Sequence, residues 1–182
     1  MRNYIERATD FIHEVYPIIR ENLDNPFALK KIMRTFNLTN SRNVKVANGS
    51  ARVALISSDY VVKWDYDLDN VDEIGGCENE ISLYEIAERE GFAYLFAKIT
   101  RVKVEEHYFY VMPRIHGIGR TEERAWRYMT YNEKDWCERH HLTDLHDENY
   151  GWENNHIVIV DYAFQEDKVH DYSDSYYDSD LS

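Results

Sequence analysis

The chain has 182 residues, 43% hydrophobic and 14% aromatic, which is enough for one domain with a real core and too little for two large ones. A net charge of −13 argues against general binding of DNA or RNA, whose phosphates demand Lys and Arg, and permits a basic protein partner or a divalent cation. Cys77 and Cys137 lie in no metal-binding spacing, the N-terminus lacks the basic start and apolar run of a signal peptide, and no segment approaches the roughly 20 apolar residues that span a bilayer, so the expectation is a soluble cytoplasmic protein with free thiols.

Residues 3–23 predict an amphipathic helix, with Ile5, Ala8, Phe11, Ile12, Val15, Ile18 and Ile19 at helical spacing and a kink or restart at Pro17. Asp24-Asn25-Pro26 predicts a break and a second helix over 26–37, capped by Asn25 with Pro26 at its first position. From residue 43 the period changes. Residues 44–47, 52–56 and 60–64 predict three short strands, and the turns between them, Asn48-Gly49-Ser50 and Ser57-Ser58-Asp59, predict an antiparallel meander. Acidic sequence from Asp65 to Gly76 leads into a helix over 78–90, stopped by Gly91. Two more strands are predicted over 97–104 and 108–112, joined by Glu105-Glu106-His107 and closed by Pro113. Residues 121–141 predict helix, and a polar loop and a short β-branched run follow. After Ala163 the chain becomes an acidic Ser/Tyr-rich tail, expected to be disordered.

The polar loop and the strand after it carry the chemistry. Asp144 sits in the loop, Asn149 follows, and His156-Ile157-Val158-Ile159-Val160 delivers Asp161 at its end. Two carboxylates and a carboxamide converging on one volume suit phosphoryl transfer with a divalent metal. His140, His141, His146 and His156 lie near these residues, but their spacing matches no standard zinc pattern.

Upstream, Tyr60-Val61-Val62-Lys63 ends a strand on lysine, Glu80 lies in the next helix with Glu78 as its rival, and Tyr110-Val111-Met112-Pro113-Arg114-Ile115 ends the fifth strand. In order, these motifs resemble V-A-I-K, the helical glutamate, the hinge, H-R-D-L-x-x-x-N (here Leu142 to Asn149) and D-F-G (here Asp161-Tyr162-Ala163) of the protein-kinase-like superfamily. Asp144-Leu145-His146 also resembles the D-L-H of aminoglycoside-phosphotransferase-like kinases, and the compact size is similar to that of small phage-type kinases.

The resemblance implies an α+β, kinase-like fold: extra N-terminal helices (1–42), an antiparallel five-stranded N-lobe with one helix (43–113), a reduced helical C-lobe with the catalytic loop (114–165) and the acidic tail (166–182). It implies ATP with Mg²⁺ or Mn²⁺ as cofactors. Lys63 would reach the α/β-phosphates and Glu80 would hold Lys63. Asp144 would be the base, and Asn149 and Asp161 the metal ligands. Gly49 and Ser50 would lie over the phosphates, although the turn has one glycine in place of three and, taken alone, reads sooner as a plain hairpin turn. Met112 would line the adenine site, with a backbone group near Ile115 bonding the base. The function implied is a minimal Ser/Thr/Tyr protein kinase acting on a protein substrate or host protein, or on its own tail. The rival expectations are an inactive, partner-binding pseudokinase and a small-molecule kinase. Little chain follows Asp161, so the N-terminal helices or a second copy in a homodimer would replace the missing lobe. Neither nucleic acid nor membrane is expected as a partner.

Overall fold

Helix α1 (Tyr4–Arg20) forms because Ala8, Phe11, Ile12, Val15, Tyr16 and Ile19 share one face, and all of them are buried. Asn3 caps it by accepting the Ile5 N–H at 3.2 Å. In the computed structural model, which describes residues 3–22, 25–40, 43–48, 52–65, 76–117, 124–142 and 145–162, this helix runs through Pro17 as one element. The expected restart does not occur. Pro17 is exposed in the last turn, the buried residues on either side hold the helix in line, and the Glu21 N–H still reaches Pro17 O at 3.2 Å. Helix α2 (Pro26–Asn40) extends three residues past its predicted end, and Asn25 caps it through the Ala28 N–H at 3.1 Å.

Strands β1 (Lys45–Asn48), β2 (Arg52–Ile56), β3 (Tyr60–Asp65), β4 (Thr100–Val104) and β5 (His107–Pro113) form one antiparallel sheet in the order β1-β2-β3-β5-β4. Side chains alternate across it. Val53, Leu55, Tyr60, Val62, Trp64, Phe109 and Val111 point to one face, where they share a core with α1 and α2. The N-terminal helices are therefore built into the sheet's own core. Tyr110 and Met112 point to the opposite, inner face, into a second core with α3 (Gly76–Glu90) and the C-terminal elements. Gly91, at φ 83°, ends α3, and the Phe92 N–H closes the turn onto Ala87 O at 2.7 Å.

Three local expectations change. Strand β4 starts at Thr100 and not at Ala97, because the Ala97 N–H bonds Ile159 O at 2.9 Å on the C-terminal side. His107 belongs to β5 and not to the turn before it: its ring is buried with Nδ1 2.7 Å from the Tyr16 hydroxyl, and Glu105, at φ 53°, makes the turn with Glu106. The helix expected over 121–141 is a 3₁₀ turn at Ala125–Tyr128 followed by a short α4 (Tyr131–Arg139). Thr130 and Glu133 form a reciprocal capping box that starts α4 at that point.

A 3₁₀ turn at Asp147–Asn149 leads to a hairpin of β6 (Tyr150–Glu153) and β7 (His156–Ile159), turned by Asn154 and Asn155 at φ 48° and 66°. Strand β6 was not anticipated. The hairpin is strapped to the sheet layer where the Trp152 N–H bonds His116 O at 2.8 Å and where the Tyr162 hydroxyl bonds Ala97 O at 2.7 Å. The fold is α+β, with four α-helices, a five-stranded antiparallel sheet and a two-stranded sheet among the described residues. No helix among them is long and apolar enough to cross a membrane.

Candidate functional site

Lys63 sits on β3 facing the inner side of the sheet, with its stem packed and its residue 9% exposed. The ammonium donates to both oxygens of Glu80, at 3.1 and 3.2 Å, and to the carbonyl of Val160 at 2.7 Å. All three of its donors are thereby committed. Glu80 reaches it because α3 turns Cys77, Glu80, Leu83 and Ala87 inward on one face, and Glu80 is fully buried. Its rival Glu78 is elsewhere, accepting from the Tyr110 hydroxyl at 2.7 Å and from Arg101 at 2.9 Å.

Val160 links the other half of the site. Its N–H donates to Asn149 O at 2.8 Å while its carbonyl takes Lys63, so one residue ties the 3₁₀ turn, the end of β7 and the lysine together. Asp161 follows directly, with its side chain 42% exposed.

A residue absent from the sequence expectations completes the cluster. Arg52, the first residue of β2, donates through one terminal nitrogen to Glu80 Oε1 at 2.7 Å and through the other to Asp161 Oδ1 at 2.6 Å. The alternation Arg52-Val53-Ala54-Leu55 was the available signal. With Val53 and Leu55 in the outer core, Arg52 must share the inner face with Lys63, and Ala54 is the cross-strand partner of Lys63. Asp65, the cross-strand partner of Arg52, caps the start of α3 by accepting the Cys77 N–H at 3.3 Å; its other oxygen is buried and accepts no hydrogen bond.

These charges set one another. Burial pushes the Glu80 carboxyl up, against the pull of Lys63 and Arg52. Burial acts the same way on Asp161, but Lys63 and Arg52 outweigh it and hold Asp161 below its ordinary value. Burial disfavours the Arg52 cation, yet Glu80 and Asp161 more than offset this and keep it charged. Asp65 is raised by burial, in spite of the Cys77 N–H and Arg52. Asp161 is therefore the more acidic of the two carboxylates that share Arg52.

Asp161 and Asn149 are the residues that could hold a hard divalent cation. Asp161 is a partly exposed carboxylate, Asn149 is a half-buried amide, and Mg²⁺ takes few protein oxygens because it keeps water and substrate phosphates. Among the described residues no three His, Cys, Asp or Glu side chains gather as a metal cage. The histidines have other tasks: His140 lies on Trp136 with ring centroids 4.2 Å apart, and His146 Nδ1 accepts the Glu148 N–H at 3.2 Å.

Of the residues singled out from sequence, Lys63, Glu80 and Asp161 come together around Val160, and Asn149 joins them through its backbone. Met112 and Ile115 are buried in the inner core, with Met112 opposite Val61. The Arg114 N–H is given to Asp59 O at 3.1 Å. Asp144, Gly49, Ser50 and the acidic tail lie outside the described residues. Compared with models of protein families, with curated proteins and with solved structures, the chain matches none.

Proposed function

We propose that the protein is an ATP- and Mg²⁺-dependent phosphotransferase of kinase-like architecture. Within that class, the reading supported best is a minimal protein kinase acting on Ser, Thr or Tyr. One observation carries it: Lys63 is bonded to both oxygens of a fully buried helical glutamate and to the carbonyl that immediately precedes Asp161. A lysine whose only task was to neutralise Glu80 would not need to be aimed at the residue before an exposed carboxylate.

Bound ATP with Mg²⁺ would supply the transferable phosphoryl group and neutralise the charge that develops on it. The chain's own residues would do the rest. Glu80 holds Lys63 in one rotamer, so the ammonium is oriented before any phosphate arrives. Asp161 and Asn149 would hold the cation. Asp144 would accept the hydrogen bond of the attacking hydroxyl and take its proton. The inner-face residues Met112 and Ile115 would bound the base site.

The test is transfer of labelled γ-phosphate to a basic protein acceptor and to the chain itself. Asp144→Ala is expected to lower the rate by roughly 10²–10⁴, and Asp161→Ala to abolish transfer. Equal labelling by the wild type and both variants would refute the assignment. A Mg²⁺-dependent thermal shift with ATP reports binding separately. At 100 times its Kd the ligand adds about 2.7 kcal/mol to stability, and Asp161→Ala should remove that gain. A second reading, a kinase-shaped protein that binds a partner without catalysis, is favoured by the Arg52–Asp161 ion pair, which already engages the carboxylate a cation would need. Partner binding that survives Asp161→Ala, with no labelling by the wild type, would select it.

A further inference from the structure

Arg52 makes two contacts of unequal permanence. Its bond to Glu80 runs to a carboxylate with no exposed side-chain surface, which Lys63 also holds from β3 and which α3 keeps in place. Its bond to Asp161 runs to a side chain that is 42% exposed at the end of β7. The first contact is an anchor, because Glu80 has nowhere to go. The second can be exchanged at the solvent side of the cluster without disturbing the core.

Charge balance points the same way. Lys63 and Arg52 are surrounded by Glu80, Asp161 and, across the strand from Arg52, the part-buried Asp65. A cation that claims Asp161 would take one of the two hydrogen-bond partners of Arg52 and set a like charge beside a guanidinium that is 21% exposed. A phosphate oxygen arriving with that cation restores the balance. The freed edge of the guanidinium offers N–H donors in the planar arrangement that phosphate accepts. Arg52 also stands at the head of β2, on the same sheet face as Lys63. The two cations therefore meet at the same carboxylate, Glu80.

We propose that Arg52 is a phosphate-binding residue that covers Asp161 while the site lacks nucleotide and moves its outer edge to the nucleotide's phosphates when a divalent cation takes Asp161. This rests on the ATP–Mg²⁺ reading for the identity of the ligand, and adds to it a residue, a starting state and an exchange. It also makes cation and nucleotide binding interdependent: either alone leaves a charge uncompensated, and the two together compensate both.

The test uses the full chain and two binding constants: Mn²⁺ without nucleotide, read by electron paramagnetic resonance, and Mg²⁺–ATP, read by calorimetry. In Arg52→Ala the two are expected to move in opposite directions. The Kd for Mn²⁺ alone should fall by about tenfold, because a cation at ion-pair distance from Asp161 is gone. The Kd for Mg²⁺–ATP should rise by about tenfold or more, because a charge-assisted contact to phosphate is lost. An Arg52 that only braces the fold would weaken both or change neither, and either result overturns the proposal. Arg52→Lys keeps the charge but cannot span both carboxylates. It should shift both constants in the same opposed sense by less, and it decides the matter if Arg52→Ala fails to fold. Wild type that binds Mg²⁺–ATP in an Asp161-dependent way, with both Arg52 variants unchanged, removes the proposal and leaves the phosphotransferase reading standing. Wild type with no Mg²⁺-dependent ATP binding removes that reading as well.

Discussion

Glu80 is the residue whose loss should be felt most. It has no exposed surface and accepts from Lys63 and Arg52 at once, so removing its side chain takes a partner from two cations. Glu80→Ala, which removes both acceptor oxygens and empties their buried space, is expected to cost about 3–5 kcal/mol in urea denaturation, the range for removing one partner of a buried pair. Asp161 behaves differently because it is partly exposed, and its pair with Arg52 should contribute less than about 1 kcal/mol. Its pH dependence has a definite sign. The folded-state value lies below the ordinary 3.8, so its contribution is fully present above that value and is lost as pH falls through the lower one. The stability difference between wild type and Asp161→Asn should therefore be constant near neutrality and shrink below about pH 3.8. Glu80 has the opposite sign: burial raises it above 4.5, so its ionisation erodes stability as pH rises through the raised value. The acid limb of the Asp161→Asn difference isolates the first effect from the second.

Among the elements, α4 shows how little sequence is needed to set a boundary. Thr130 accepts the Glu133 N–H at 3.4 Å while the Glu133 carboxylate accepts the Thr130 N–H. The helix starts there, although apolar residues continue upstream. Thr130→Ala should cost about 1 kcal/mol, read as a lower urea midpoint with an unchanged slope. The β6–β7 hairpin depends on Asn154 and Asn155 tolerating positive φ, which a β-branched residue does not. The pair was legible as a two-residue hairpin turn, and its neighbour Trp152 as a strand residue. Read without the turn, only β7 stood out, because its run is apolar and β-branched whereas β6 carries Gly151 and Glu153.

At the scale of the whole molecule the sheet is a shared wall between two cores. The helical side holds Phe11, with its ring 6.1 Å from those of Phe36 and Tyr60, and the other side holds the charged cluster. Strand β3 alternates between them, with Val62 and Trp64 to one side and Lys63 to the other. Phe11→Ala should lower unfolding stability by about 3–5 kcal/mol and leave the Mg²⁺–ATP Kd unchanged below the unfolding transition, because it empties the core on the far side of the wall.

The sequence by itself determined the α+β class, the meander of the first three strands and the cap at Asn25, because periodicity and capping are local properties of neighbouring residues. It also marked Lys63, Glu80, Asn149 and Asp161, since each stands out within its own segment as a charged or amide group at the end or on the inner face of an element. What the tertiary structure alone decided is which of them meet. The sequence favours Glu80 over Glu78, but the distance at which it meets Lys63 turns on the rotation of α3 against the sheet. Arg52 reaches Asp161 across 109 residues of chain, through the packing of a hairpin under a sheet. No local rule encodes that distance: the contact exists because burial on both faces of β2 and β7 leaves each charged side chain one direction in which it can be satisfied.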